Sequence, residues 1–205
     1  VSGYRKLVSQ DGVVAVIGWP IFKIFGILSY LAMRALEPWC LVRVGYLENE
    51  RIGHQAINTE MFLRFRALDT TAKPRMDILV SGAPANQQLH IMIRRSLRVL
   101  RLPLLGLFYQ TGLRPLISGG RFEADMDLHH YDFDLCAKAR PQLSFISDED
   151  RRGRKLLESL GVPAGAEFFC FHARSPAFLD SRHPHRSREQ WSYHDYRDCA
   201  IENYL

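Results

Sequence analysis

Residues 41–68 read LVRVGYLENERIGHQAINTEMFLRFRAL, and the fold class turns on how they are parsed. Leu41–Leu47 is a short apolar run carrying two valines, which suits a strand. Glu48, Asn49 and Glu50 form a polar turn. From Arg51 the chain runs into the apolar-periodic MFLRF segment, so a helix is expected to about Leu68, closed by Asp69, Thr70, Thr71 and Pro74. The order is strand, turn, helix. Gly53 is expected where the backbone approaches something closely, beside the free N–H groups of the new helix. His54 would project from the first turn. It serves either a site or an ordinary β–α turn, and the sequence leaves both open.

The same order recurs downstream. Met76–Val80 reads as a second strand, and Ser81–Pro84 as its turn. Asn86 is placed to cap a helix over 87–98, with Leu89, Met92, Ile93 and Leu97 at helical spacing. Arg94, Arg95, Arg98 and Arg101 fall on the other face, expected to be solvated or to face lipid. Pro103, Gly106, Gly112 and Pro115 interrupt residues 102–120, which read as strand fragments and turns. Alternating strands and helices make the expected class α/β.

Upstream, residues 12–36 (GVVAVIGWPIFKIFGILSYLAMRAL) match the roughly 20 residues needed to cross a bilayer core. Pro20 and Lys23 lie inside the run, and it lacks the short core and cleavage site of a signal peptide. Two readings stay open: a membrane-associated helix with Trp19, Tyr30 and Trp39 at headgroup level, or an amphipathic helix buried on the domain. The formal charge of +5 suits acidic partners. Nucleic acid is not expected, because no recognition helix, zinc-finger spacing or aromatic RNA-binding signature occurs. Cys40, Cys136, Cys170 and Cys199 are scattered without a CxxC pair, which fits a reduced setting better than a disulfide scaffold or a zinc site. The chain starts at Val1 and stops inside what reads as a starting helix, so part of a longer protein is expected.

Glu123, Asp125, Asp127, His129, His130, Asp132 and Asp134 gather oxygen and imidazole groups, but without recognised ligand spacing; an exposed polar loop is the expectation, and no metal is assigned. Ser147 is expected to cap a helix that buries Leu156, Leu157 and Leu160 and stops at a left-handed Gly161. Phe168–Phe171 reads as the start of a buried parallel strand with His172 and Arg174 on one side of its carboxyl end. A basic loop follows, in which Arg182, His183, His185, Arg186, Arg188, His194 and Arg197 alternate with aromatic residues. A guanidinium at a strand end suits a phosphate, since its planar fork matches paired oxygens and keeps its charge.

Three segments, RIGHQAINTE, SDEDRRGRKLLESLGVPAGAEFFCFHARSPAF and YHDYRDCAIENYL, together resemble an uncharacterised bacterial family taken to be glycosyltransferases of surface polysaccharide assembly. The resemblance spans about residues 41–205 and implies the two-domain, Rossmann-like GT-B architecture. The expected layout is a hydrophobic segment over 1–40, an acceptor-side domain over 41–163 closed by the Pro/Gly linker at 162–165, and the truncated start of a nucleotide-sugar domain over 164–205. The His172-x-Arg174 element is similar to that of fucosyltransferase-like enzymes. The resemblance implies that Arg174 holds the donor diphosphate and His172 positions it. Arg197, Arg51, Gly53 and Asn58 join them around the donor, and His54 or Glu60 is the general base. The implied donor is a nucleotide-sugar and the acceptor a glycan or lipid-linked sugar, with no cofactor and no metal. The implied location is cytoplasmic, with peripheral contact at the inner face of the membrane. The alternative is a non-catalytic, membrane-attached module that binds an anion or a partner in polysaccharide export. No glycine-rich phosphate loop or G-x-S-x-G element points elsewhere.

Overall fold

A computed structural model describes residues 12–70, 73–102, 104–127 and 134–170, with single positions beyond them. The side chains of residues 12–17 lie outside that description. Backbone packing divides the chain into two units, Val1–Phe145 and Ile146–Leu205. The division falls before the helix that opens at residue 147, not in the Pro/Gly linker after it.

The first unit is mixed α/β. Helix α1 (Gly12–Leu36) leads into β1 (Leu41–Leu47). A π-helical turn, His54–Asn58, runs into α2 (Thr59–Leu68). Then come β2 (Arg75–Ser81), α3 (Gln87–Ser96) and β3 (Arg98–Leu100). All three strands are parallel, in the order β1-β2-β3, with Leu41 opposite Arg75 and Ile78 opposite Arg98. Parallel neighbours need crossovers, which α2 and α3 supply. On the free side of β1, Val44 makes a parallel bridge to Glu123: Val44 N donates to Phe122 O at 2.9 Å, and Ala124 N to Val44 O at 3.1 Å.

Side chains of a strand alternate between faces, so the sheet carries two cores. On one face Val42, Val44 and Val80 pack with Met33, Tyr109, Leu113, Ile117 and Phe122. On the other, Leu47 and Leu79 pack with Phe62, Leu63, Ile93, Leu97, Ala124 and Met126. Burying each such side chain contributes about 1.5–3 kcal/mol, which outweighs the few tenths at issue in local propensity.

Residues 102–120 correct the expectation of strand fragments. Residues 105–117 form one continuous rod: α4 (Leu105–Phe108), a second π-helical turn (Tyr109–Leu113) and α5 (Arg114–Ile117). Pro115 falls in the first turn of α5, where a proline is tolerated. Gly112 is not a breaker but a crossing point, because α1 passes over it at Gly26 with backbone against backbone. Around that crossing, Phe22 meets Phe108 and Tyr30 meets Phe122 edge-on, with ring centroids 6.4 and 5.8 Å apart. Met33 is buried below them. Among the described side chains of α1, only this inward stripe is packed. Ile24, Phe25, Leu28 and Leu31 on the outward side are 55–59% exposed.

In the second unit α6 has no place; it is the short helix Leu135–Lys138 of the first unit. Helix α7 (Ser147–Ser159) opens the second. Its N-cap is Ile146, not Ser147: the Glu149 carboxylate accepts from Ile146 N at 3.1 Å and supplies the cap from inside the first turn. At the other end Gly161 takes φ +89°, as expected, with Val162 N donating to Leu157 O and Gly161 N to Glu158 O. That is the paired bonding of a Schellman stop, and glycine is there because the left-handed backbone strains other residues. Leu156 and Leu160, expected in a core, are exposed. The expected buried strand at 168 is also corrected: Phe168, Phe169 and Cys170 are irregular and exposed, and Phe169 is 88% accessible. An apolar run specifies a strand only when a neighbouring strand takes up its backbone groups, and none does so for these described residues.

Candidate functional site

The carboxyl edge of the sheet is built by the loops after β1 and β2. Asn49, wholly buried, donates through Nδ2 to Gly82 O at 3.2 Å, while Ala85 N donates to Asn49 O at 2.6 Å. Gln55, in the π-helical turn, forms a two-way clasp with Asn86. Its Nε2 donates to Asn86 O and its Oε1 accepts from Asn86 N, both at 2.9 Å. Asn86 Oδ1 in turn accepts from Leu89 N at 2.9 Å, capping α3 as its sequence position predicts. Side-chain hydrogen bonds thus tie the two loops together.

Polar atoms converge over this edge. A Cβ on Gly82 would stand 3.5 Å from the Tyr46 hydroxyl, 3.8 Å from Glu50 Oε1 and 3.9 Å from Asn49 Oδ1. Burial first, then Glu50 and Glu48, raises the Tyr46 phenol above its ordinary value of 10.0, so it stays a protonated donor. Its ring stacks on Tyr109, with centroids 6.2 Å apart. Asn49 Oδ1, Asn58 Oδ1, Thr59 Oγ1 and Ser81 Oγ are buried without a hydrogen-bond partner among the described residues. An unpaired buried polar group costs about 1–3 kcal/mol, and of these Asn49 Oδ1 is the one that stands beside Gly82. π-Helical turns are frequent at functional sites, and this one carries His54 through Asn58.

The expected residues divide. Arg51, Gly53 and His54 lie at this edge on the exposed or half-buried side, and Asn58 lies on the buried side of the same turn. Gly53 is corrected: its φ of −62° is helical and no atom lies within 4 Å of an added Cβ, so no close approach requires it. His54 Nδ1 stands 3.3 Å from Glu48 Oε2, without the alignment of a hydrogen bond.

Glu60 belongs to other surroundings. Its Oε1 accepts from Arg64 Nε at 2.6 Å and Gln142 N at 2.9 Å, and its Oε2 from Leu143 N at 2.9 Å. Arg64, itself buried, donates to Cys136 O and Ala139 O at 2.9 and 2.8 Å. The pair ties residues 136–143 to α2 and forms one wall of an apolar groove of about 720 Å³, lined also by Ile57, Met61, Leu89, Met92 and Phe145. His54 is not among its lining residues. Sequence reasoning missed this groove because it is made where α2, α3 and the 141–145 segment meet. Only the helical spacing of Ile57 and Met61 was available as a signal.

His172, Arg174 and Arg197 lie outside the described residues, as do His129, His130 and Asp132 of the acidic and histidine run. Within that run, Glu123 accepts from Gly119 N at 2.6 Å and Asp125 from Asp127 N at 2.9 Å. No three His, Cys, Asp or Glu side chains gather as a metal set among the described residues. Comparison with family models, with curated proteins and with solved structures finds no match to this chain.

Proposed function

We propose that the chain is part of a glycosyltransferase that moves a sugar from a nucleotide-sugar to a polysaccharide or lipid-linked acceptor, with a Rossmann-like acceptor domain of GT-B type. One observation carries the reading. The sheet grows from β1 through β2 to β3, and the chain then returns to the opposite side of β1 at Val44–Glu123. In open α/β sheets ligands bind outside the carboxyl ends of the strands where the growth direction reverses, and the loop after β1 carries Arg51, His54 and Asn58. Of the two candidate bases, His54 is accessible, whereas the Glu60 carboxylate is occupied by three donors.

In this mechanism the acceptor hydroxyl gives its proton to His54 as its oxygen bonds to the anomeric carbon. The bond from that carbon to the donor phosphate breaks, and its electron pair leaves with the diphosphate. Glu48 Oε2 lies 3.3 Å from Nδ1, the other ring nitrogen, and borders the ring that takes the proton. The resemblance assigns the departing charge to Arg174 with Arg197, and its orientation to His172. The reaction belongs on the cytoplasmic side of the membrane, where the donor is made. The test is turnover of a panel of nucleotide-sugars by the full-length protein. His54→Gln should lower kcat about 10²–10⁴-fold, the usual worth of a general base. Arg174→Ala turning over donor as fast as the wild type would refute the assignment.

A second reading rests on α1. Its Gly18–Leu36 portion has a mean hydropathy of 1.3, and its outward stripe is apolar, with Trp19 and the nearby Trp39 exposed at its two ends. Because the inward stripe is committed to the 105–117 rod, the helix would lie in the headgroup region and not cross the bilayer. On this reading the unit is a membrane-attached binding module without catalysis of its own.

A further inference from the structure

The opposite, amino edge of the sheet holds a second concavity of about 330 Å³, lined by Arg66, Asp77, Arg94, Arg95, Ser96, Leu97 and Arg98. Its floor is Asp77 on β2, with a fully buried side chain. Arg43, its cross-strand neighbour, donates to Asp77 Oδ1 at 2.6 Å, and Arg66 Nε stands 3.6 Å from Oδ2. The one carboxylate in the concavity is therefore already balanced by Arg43 from beneath.

That leaves a surplus of positive charge. Arg94 and Arg98 are exposed and make no ion pair with a carboxylate among the described residues, while Arg95 donates to Ser144 O at 2.8 Å. Attraction to the carbonyl end of α3 accounts for cations in its last turn, which holds Arg94 and Arg95. Arg66 likewise sits in the last turn of α2 and faces Asp77, but neither account covers Arg98, which opens β3, or the gathering of all four in one concavity. Like charges brought together in a concavity repel, and walls of low dielectric sharpen their field. The neighbourhood senses that field: after burial itself, Arg94 and Arg101 hold the His90 imidazole below its ordinary value.

We propose that this concavity binds a phosphoryl group, with Arg66, Arg94 and Arg98 as its donors. Guanidinium forks from three separate elements suit a multiply charged oxyanion with oxygens in several directions better than a single planar carboxylate. The same chemistry is presented by a soluble phosphate compound and by an anionic phospholipid headgroup. The site lies at the other end of the sheet from His54, so it stands or falls independently of the transferase reading.

The test uses the full chain and the double variant Arg94→Gln/Arg98→Gln, whose positions are exposed. Inorganic pyrophosphate is titrated calorimetrically at low salt, and co-sedimentation is measured with vesicles of phosphatidylcholine alone or with phosphatidylglycerol. A control, Arg140→Gln/Arg152→Gln, removes the same charge from exposed positions elsewhere. Pyrophosphate binding that weakens at least tenfold in the first variant and less than twofold in the control identifies a soluble phosphoryl ligand. A loss confined to the phosphatidylglycerol vesicles identifies a headgroup. If the wild type binds neither probe, or if both variants lose binding equally, the proposal is overturned.

Discussion

Replacing Gly26 with alanine should destabilise the protein, although the change normally strengthens a helix. Alanine is favoured over glycine in a helix interior by up to about 1 kcal/mol. Against this, a Cβ on Gly26 lands on the backbone of Gly112, 2.9 Å from its Cα and closer still to its carbonyl carbon and oxygen. Ordinary contact begins near 3.4 Å, so α1 and the 105–117 rod must separate by at least several tenths of an ångström. No rotamer change can relieve this, because the obstructing atoms are backbone. Such overpacking costs roughly 1–3 kcal/mol. Separation also loosens the two edge-on ring contacts beside it, each worth about 0.5–1.5 kcal/mol. Packing therefore outweighs propensity, with a net loss of roughly 1–3 kcal/mol and a fall in Tm of about 2–4 °C per kcal/mol. Gly53→Ala is the matched comparison: a helical φ of −62° and open space around the new methyl predict a gain of about 0.5–1 kcal/mol. Urea or thermal unfolding followed by circular dichroism reads both. If Gly26→Ala stabilises as Gly53→Ala does, α1 is not seated on Gly112 and its outward stripe has been misidentified.

Three further predictions concern the site, the core and the helix face. Glu60→Gln should destabilise by about 1–3 kcal/mol through weakened charged hydrogen bonds to Arg64, Gln142 and Leu143, with no separate effect on turnover. A drop in kcat of about a hundredfold at an unchanged unfolding midpoint would make Glu60 the base instead. His90, held below its ordinary 6.5 by burial and then by Arg94 and Arg101, is neutral in the folded protein where the unfolded chain takes up a proton. Its contribution is intact above the unfolded value and lost as pH falls through the folded one. The stability lost between about pH 7.5 and about pH 5 should thus shrink in His90→Gln, and an unchanged loss would exclude His90 as its source. Leu28→Asp/Leu31→Asp alters two exposed residues of α1, each worth about 1.5–3 kcal/mol if immersed. Flotation with lipid vesicles should fall at least tenfold, and equal flotation of variant and wild type would rule this face out as the lipid contact.

Strand β1, strand β2 and the Asn86-capped helix were legible because each is specified locally: a β-rich apolar run, a polar turn, a side chain that bonds three residues on. The Gly161 stop was legible for the same reason. The 105–117 rod was not, since its glycine and proline look like breakers until α1 is laid across Gly112. The run at 168 misled in the opposite sense, apolar in sequence but with no strand beside it among the described residues. At the candidate site the sequence drew attention to Arg51–Asn58, yet it could not separate the accessible His54 from the committed Glu60, only six positions apart. That distinction depends on residues 142 and 143, which arrive from far along the chain.

Composition and periodicity alone thus settle that this is an α/β chain with a long apolar helix and a basic surface, because burial patterns and charges are written residue by residue. Which arginines share one concavity with Asp77, which carboxylate is spoken for, and which stripe of α1 stays bare were decided only by tertiary packing. Those properties belong to pairs of residues distant in sequence, and no local rule holds the distance between them.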